Sequence, residues 1–176
     1  MKATGIVRRI DDLGRVLIPK EIRRNLHLRE GDPMEVYIDV EGGIVLRPYS
    51  AVGVSEELIK NLSSALRTAR LSTAVDFFVT DNFSVIGNTS QGTLVGEPIS
   101  EVLRDAIGCG KIVEDCSIKL VRTPENGCHV RYVYPIVKNG EVCGSICTWY
   151  SDTKAFEAQK NLIRLTAEIL LRYINN

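Results

Sequence analysis

Val36, Ile38 and Val40 alternate with Glu35, Tyr37 and Asp39, the period of two expected of a strand with one buried face. Glu41-Gly42-Gly43 is a turn signal, Ile44-Val45-Leu46 starts a return strand, and Pro48 closes it because proline cannot continue a central ladder. Residues 33–49 therefore read as a hairpin. A second strand–turn–strand unit precedes it, with strands at Ile6–Ile10 and Arg15–Ile18 around the turn Asp11-Asp12-Leu13-Gly14. Pro19 to Leu26 reads as a short helix with Pro19 at its first position, where a fixed φ helps and the missing N–H is not needed. Ile22 and Leu26 are four apart and share one face, which turns Arg23 and Arg24 elsewhere. Glu30-Gly31-Asp32-Pro33 links this helix to the hairpin.

The pattern changes after residue 50. Residues 51–54 read as a linker, and Ser55 caps a helix running to about Arg70, with Leu58, Leu62, Ala65, Leu66 and Ala69 on one face. Strands follow at Ala74–Thr80 and Ser84–Gly87, then a polar loop at 88–96 and a helix from Ser100, its cap, to Ile107. Three more strands are predicted at Cys116–Arg122, Val130–Val137 and Val142–Tyr150, the last two joined by the hairpin signal Lys138-Asn139-Gly140-Glu141. A helix over about 154–174 ends the chain. It carries two apolar stripes, Ala155, Ala158, Leu162, Leu165, Ile169 and Phe156, Ile163, Leu170, Ile174. One stripe suits the sheet and the other a second protomer.

Four short strands and one helix in 1–50 bury too little surface to be comfortably stable alone. The economical solution is a homodimer whose strands interleave into one barrel. With a second contact through the last helix, the assembly becomes a dimer of dimers. The expected fold is thus two-domain: an intertwined, mostly β unit at 1–50 and an α+β domain with one antiparallel sheet at 55–176.

Formal net charge is zero over 176 residues, so the charge signal is local. Up to Arg29 the basic residues are Lys2, Arg8, Arg9, Arg15, Lys20, Arg23, Arg24 and Arg29, eight against the three acids Asp11, Asp12 and Glu21, an excess of five. A small β unit this basic has the footprint of a polyanion binder. Arginine suits phosphate and guanine edges because its planar fork is permanently charged and binds them bidentately. Arg15 has an intramolecular alternative, an ion pair with Asp11 or Asp12.

No apolar run approaches the ~18–20 residues of a membrane helix, and Met1-Lys2-Ala3-Thr4-Gly5 lacks a signal-peptide core. A cytoplasmic, nucleoid-associated protein without membrane contact is expected. Cys109, Cys116, Cys128, Cys143 and Cys147 lack the paired spacings of a zinc site and read as reduced thiols. His27 beside the first helix reads as a capping or packed residue, His129 has no partners for nucleophilic catalysis, and Asn88–Gly92 lacks the lysine of a phosphate loop. The chain is expected to be no enzyme and to hold no metal or cofactor.

The run from Lys2 to Pro19, with Glu21-Ile22-Arg23-Arg24, resembles the AbrB family of bacterial transition-state regulators over residues 2–49. The resemblance implies a swapped-hairpin barrel dimer that binds duplex DNA and acts as activator and repressor in endospore development. It assigns DNA contact to Arg8, Arg15, Arg23 and Arg24, with Arg9 assisting. Lys20 departs from the family, where that position is often apolar. With no long recognition helix, readout falls to arginines and DNA shape, so a loose, A·T-rich consensus is expected. The barrel type also allows an antitoxin, or a metabolite-binding module with incidental DNA contact. Residues 55–176 resemble a GAF domain, with Tyr134–Ile146 as its central hairpin, and lack the family's cyclic-nucleotide signature. That resemblance points either to a pocket for a small-molecule effector, lined by Phe77, Phe83, Tyr132, Tyr134 and Trp149, or to a filled core that serves assembly alone.

Overall fold

The computed structural model describes residues 5–49, 61, 64, 67–68, 75–89, 94–122 and 128–174. The chain divides into two compact units, Met1–Tyr49 and Ser50–Asn176. The linker at 51–54 lies outside the described residues, as does the helix expected at 55–70 except for the helical positions 61, 64, 67 and 68.

In the first unit, helix α1 spans Lys20–Asn25, and strands β1 (Met34–Ile38) and β2 (Ile44–Pro48) pair antiparallel with Val36 opposite Leu46. Pro19 stands one place earlier than expected, outside the helix with an extended ψ of 149°, and its carbonyl accepts the Arg23 N–H at 2.9 Å. The hairpin also turns sooner than its alternation suggested. Asp39 Oδ1 accepts the N–H groups of Glu41 (3.0 Å) and Gly43 (2.6 Å), so the turn begins at Asp39 and puts Val40 at a solvent-exposed tip. The segments Ile6–Ile10 and Arg15–Ile18 are not strands within one chain. They flank a closed turn, with Asp11 N–H donating to Arg15 O and Gly14 N–H to Asp11 O, both at 3.0 Å. Alternation encodes which face of a segment can be buried, whereas a ladder also needs a partner strand.

The second unit is built on an antiparallel sheet in the order β4-β3-β8-β7. Its strands are β3 (Asp76–Asp81), β4 (Val85–Asn88), β7 (Tyr132–Lys138) and β8 (Glu141–Trp149). Helix α2 (Glu101–Gly108) and the two-residue strands β5 (Ile118–Lys119) and β6 (His129–Val130) cover one face, where Phe78, Leu103, Ile107, Val133 and Cys147 are buried together. Helix α3 (Thr153–Ile174) covers the other, over Phe77, Ile136 and Ile146. Ser100 caps α2 as expected, its hydroxyl accepting the Leu103 N–H at 3.1 Å. Asn139 and Gly140 take positive φ of 51° and 86° at the β7–β8 turn, the Asn-Gly geometry.

The strand expected at Cys116–Arg122 shrinks to Ile118–Lys119, because Asp115 takes φ of 49° and Val121 leaves to bridge Ile99. The strand expected at Val130–Val137 splits at Arg131: Val130 pairs with Ile118, whereas Tyr132 pairs with Thr148 of the main sheet. Gly144 leaves no room for a side chain, since a Cβ there would collide with the Thr80 carbonyl oxygen. An aromatic stack fastens the start of α3. Tyr150 and Phe156 are parallel at 4.0 Å, Arg131 lies 4.5 Å above Tyr150, and Lys160 pairs with Glu114 (3.3 Å) and Glu157 (2.8 Å).

Candidate nucleic-acid interface

The five arginines singled out by sequence all lie in the first unit, and all are exposed. Arg8 and Arg9 precede the Asp11–Gly14 turn and Arg15 follows it. Gly14 has a φ of 78°, a left-handed conformation that glycine adopts without a Cβ penalty. Arg8 Nη1 donates to the Val7 carbonyl at 3.0 Å. Arg15 makes the intramolecular ion pair allowed for it: its Nε donates to Asp11 Oδ2 at 2.8 Å. The arginine side chain nevertheless keeps 71% of its surface exposed.

Arg23 and Arg24 occupy the last turn of α1, where positive charge meets the negative end of the helix dipole. Their backbone is fixed by a Schellman ending. Leu28 N–H donates to Arg23 O at 2.8 Å and His27 N–H to Arg24 O at 3.1 Å, with His27 in the left-handed region at φ 55°. His27 is thus a helix-ending residue, the capping role its position suggested. Among the described residues, Arg9, Arg23 and Arg24 take part in no ion pair, so their guanidinium groups remain available to an external anion. Asp11 was legible only as a turn former and a bridge candidate. The structure shows it doing both, and the N–H of Arg15, then its side chain, hold the Asp11 carboxyl below the usual carboxylate range.

The five residues proposed as pocket lining lie at three places in the second unit. Phe77, Tyr132 and Tyr134 belong to the packed cluster beneath α3. Phe83 lies at the β3–β4 turn with the Arg104 guanidinium 4.8 Å from its ring, and Trp149 is 40% exposed at the end of β8. Burial pushes the thiols of Cys128 and Cys147 up to about 11 and about 12, which keeps both neutral at physiological pH. Among the described residues no group of His, Cys, Asp and Glu could hold a metal ion, and no helix is long and apolar enough to cross a membrane.

A small β unit whose arginines flank a turn and a helix end, joined to a separate α/β unit, defines the class of chain. The family model for the antidote-toxin recognition protein MazE, a bacterial antitoxin, matches residues 7–53. Stage V sporulation protein T of Bacillus subtilis (strain 168) is 35% identical over 175 residues, 98% of either chain. Transition state regulatory protein AbrB of the same organism is 55% identical over 49 residues, 28% of this chain and 50% of AbrB. Among solved structures, the N-domain of the transcription factor abrB in solution has 55% identity, with 28% of this chain and 92% of that one covered and a TM-score of 0.26. The chain belongs to the family of AbrB-type regulators that includes stage V sporulation protein T.

Proposed function

We propose that this chain is a transcription regulator of endospore development, acting as activator and repressor, that grips duplex DNA through a dimeric amino-terminal barrel. The carrying observation is the state of the first unit. Only Pro19 is buried there among the described residues, while Met34, Val36 and Ile38 line up with Pro48, Leu46 and Ile44 along one largely uncovered apolar face of the hairpin. Covering such side chains contributes about 1.5–3 kcal/mol each. The ladderless segments at 6–10 and 15–18 supply the strands that a second copy would pair with. A two-fold dimer doubles the arginine set and matches the pseudo-symmetry of duplex DNA.

The second unit serves assembly and sensing. On α3, Phe156, Ile163 and Leu170 face the sheet, Leu162 and Ile169 pack at the edge of the same cluster and stay half-buried, and Leu165 is exposed. The outer edge of this stripe, led by Leu165, suits a second dimer, giving a dimer of dimers. The sheet with helices on both faces fits a GAF-like domain under the control of a small effector. A second reading, an antitoxin, draws on the family model over residues 7–53. The antitoxin type ends in an unstructured acidic tail that wraps its toxin, whereas here a folded α/β unit follows.

The test is a titration of the intact protein with A·T-rich duplex DNA over a range of salt. Roughly eight phosphate contacts give a slope of log affinity against log salt of about −7, and each phosphate-binding arginine removed lowers that slope by about 1. Arg23→Ala and Arg24→Ala are expected to weaken binding about tenfold or more. Unchanged affinity in both variants removes this surface.

A further inference from the structure

The two carboxylate oxygens of Asp11 have different partners. Oδ1 accepts the backbone N–H groups of Leu13 (3.0 Å) and Arg15 (2.8 Å), which shapes the turn. Oδ2 accepts Nε–H of the Arg15 side chain at 2.8 Å. A guanidinium has five N–H donors, one on Nε and four on its two Nη atoms. The bond to Asp11 uses the inner one, and the side chain as a whole stays 71% exposed. Arg15 is thereby held at its stem while its outer edge, the part that pairs bidentately with phosphate or a guanine edge, makes no hydrogen bond or ion pair among the described residues.

An acid at a DNA-binding turn repels phosphate, so charge alone argues against one here. A clamp changes the balance, because fixing a flexible side chain in advance removes part of the ordering cost of recognition. We propose that Asp11 is a positioning residue for DNA recognition, tying Arg15 to the turn through Nε so that its Nη edge is preset for the correct sequence. This rests on the DNA-binding reading above and deepens it. The carboxylate lowers binding to any DNA through its charge and lowers binding to the right DNA less, which raises the ratio between them.

Asp11→Asn separates the two roles of the carboxylate. An asparagine oxygen still accepts the two backbone N–H groups, so the turn is kept, but its amide nitrogen cannot accept from Arg15 Nε. Asp12→Asn makes the same charge change at the neighbouring position, away from the clamp. The probes are a short duplex selected from a random pool by the intact wild-type protein and a scrambled duplex of equal composition. Asp12→Asn should strengthen binding to both duplexes alike and leave their ratio unchanged. Asp11→Asn should strengthen binding to the scrambled duplex yet reduce the ratio about tenfold, the scale of one bidentate contact. In an Arg15→Ala background, Asp11→Asn should leave the ratio unmoved, whereas a general loosening of the fold would lower it there too. An Asp11→Asn ratio equal to that of Asp12→Asn, or a fall that persists without Arg15, overturns the proposal. Wild-type affinity in Arg15→Ala alone would instead remove Arg15 from the interface, and with it the reading beneath.

Discussion

In the second unit Phe77 and Phe78, neighbours on β3, point to opposite faces of the sheet, and both are fully buried, one beneath α3 and the other beside α2. In the first unit the equivalent stretch of hairpin shows Ile38 and Ile44 to solvent at 81% and 71% exposure. In both units successive side chains along a strand point to opposite faces. One finds its covering layers within the unit, whereas in the other the described residues leave an apolar face largely uncovered. Hydrophobic burial is the main favourable term in folding, so the second unit has the core to carry its own stability, whereas the proposed dimer would supply the cover that the first unit's hairpin face lacks. On the proposed function, the event that completes the core would also double the basic surface.

The sharpest way to break this comparison is Ile44→Asp. At a merely exposed position a polar substitution changes stability by no more than about 0.5 kcal/mol. If the face is an interface, the buried, unpaired carboxylate should abolish dimerisation of the first unit and DNA binding together. Sedimentation and duplex titration read both, and retention of both would make the face ordinary surface. A smaller effect is expected from Gly144→Ala in the second unit. The added methyl meets the Thr80 backbone oxygen, and such overpacking costs about 3 kcal/mol. It should lower the thermal transition of the second unit while the first still binds duplex DNA. Simultaneous loss of both would contradict two separately stabilised units.

Much of this was legible from local pattern. The Ser100 cap, the Asn-Gly turn and the 154–174 helix are each specified by neighbouring residues, and each stands within a residue or two of its expected place. The departures are where a distant partner decides. Val40 continues the alternation but lies past Asp39, whose carboxylate captures two N–H groups and turns the chain. Val130 and Tyr132 look like one strand, yet they pair with different partners on either side of Arg131. The arginine cluster was readable as a charge excess, and its assignment to DNA came from family resemblance. The division of labour between the two oxygens of Asp11 could not be read, because hydrogen-bond direction is a property of three dimensions.

The central claim is that two amino-terminal units complete each other and thereby form the DNA-binding surface. Sedimentation equilibrium of residues 1–50, alone and with duplex DNA at low salt, tests it most directly. The account predicts a stable dimer that binds the duplex with strong salt dependence. A folded monomer, or a chain indifferent to duplex DNA, would contradict it.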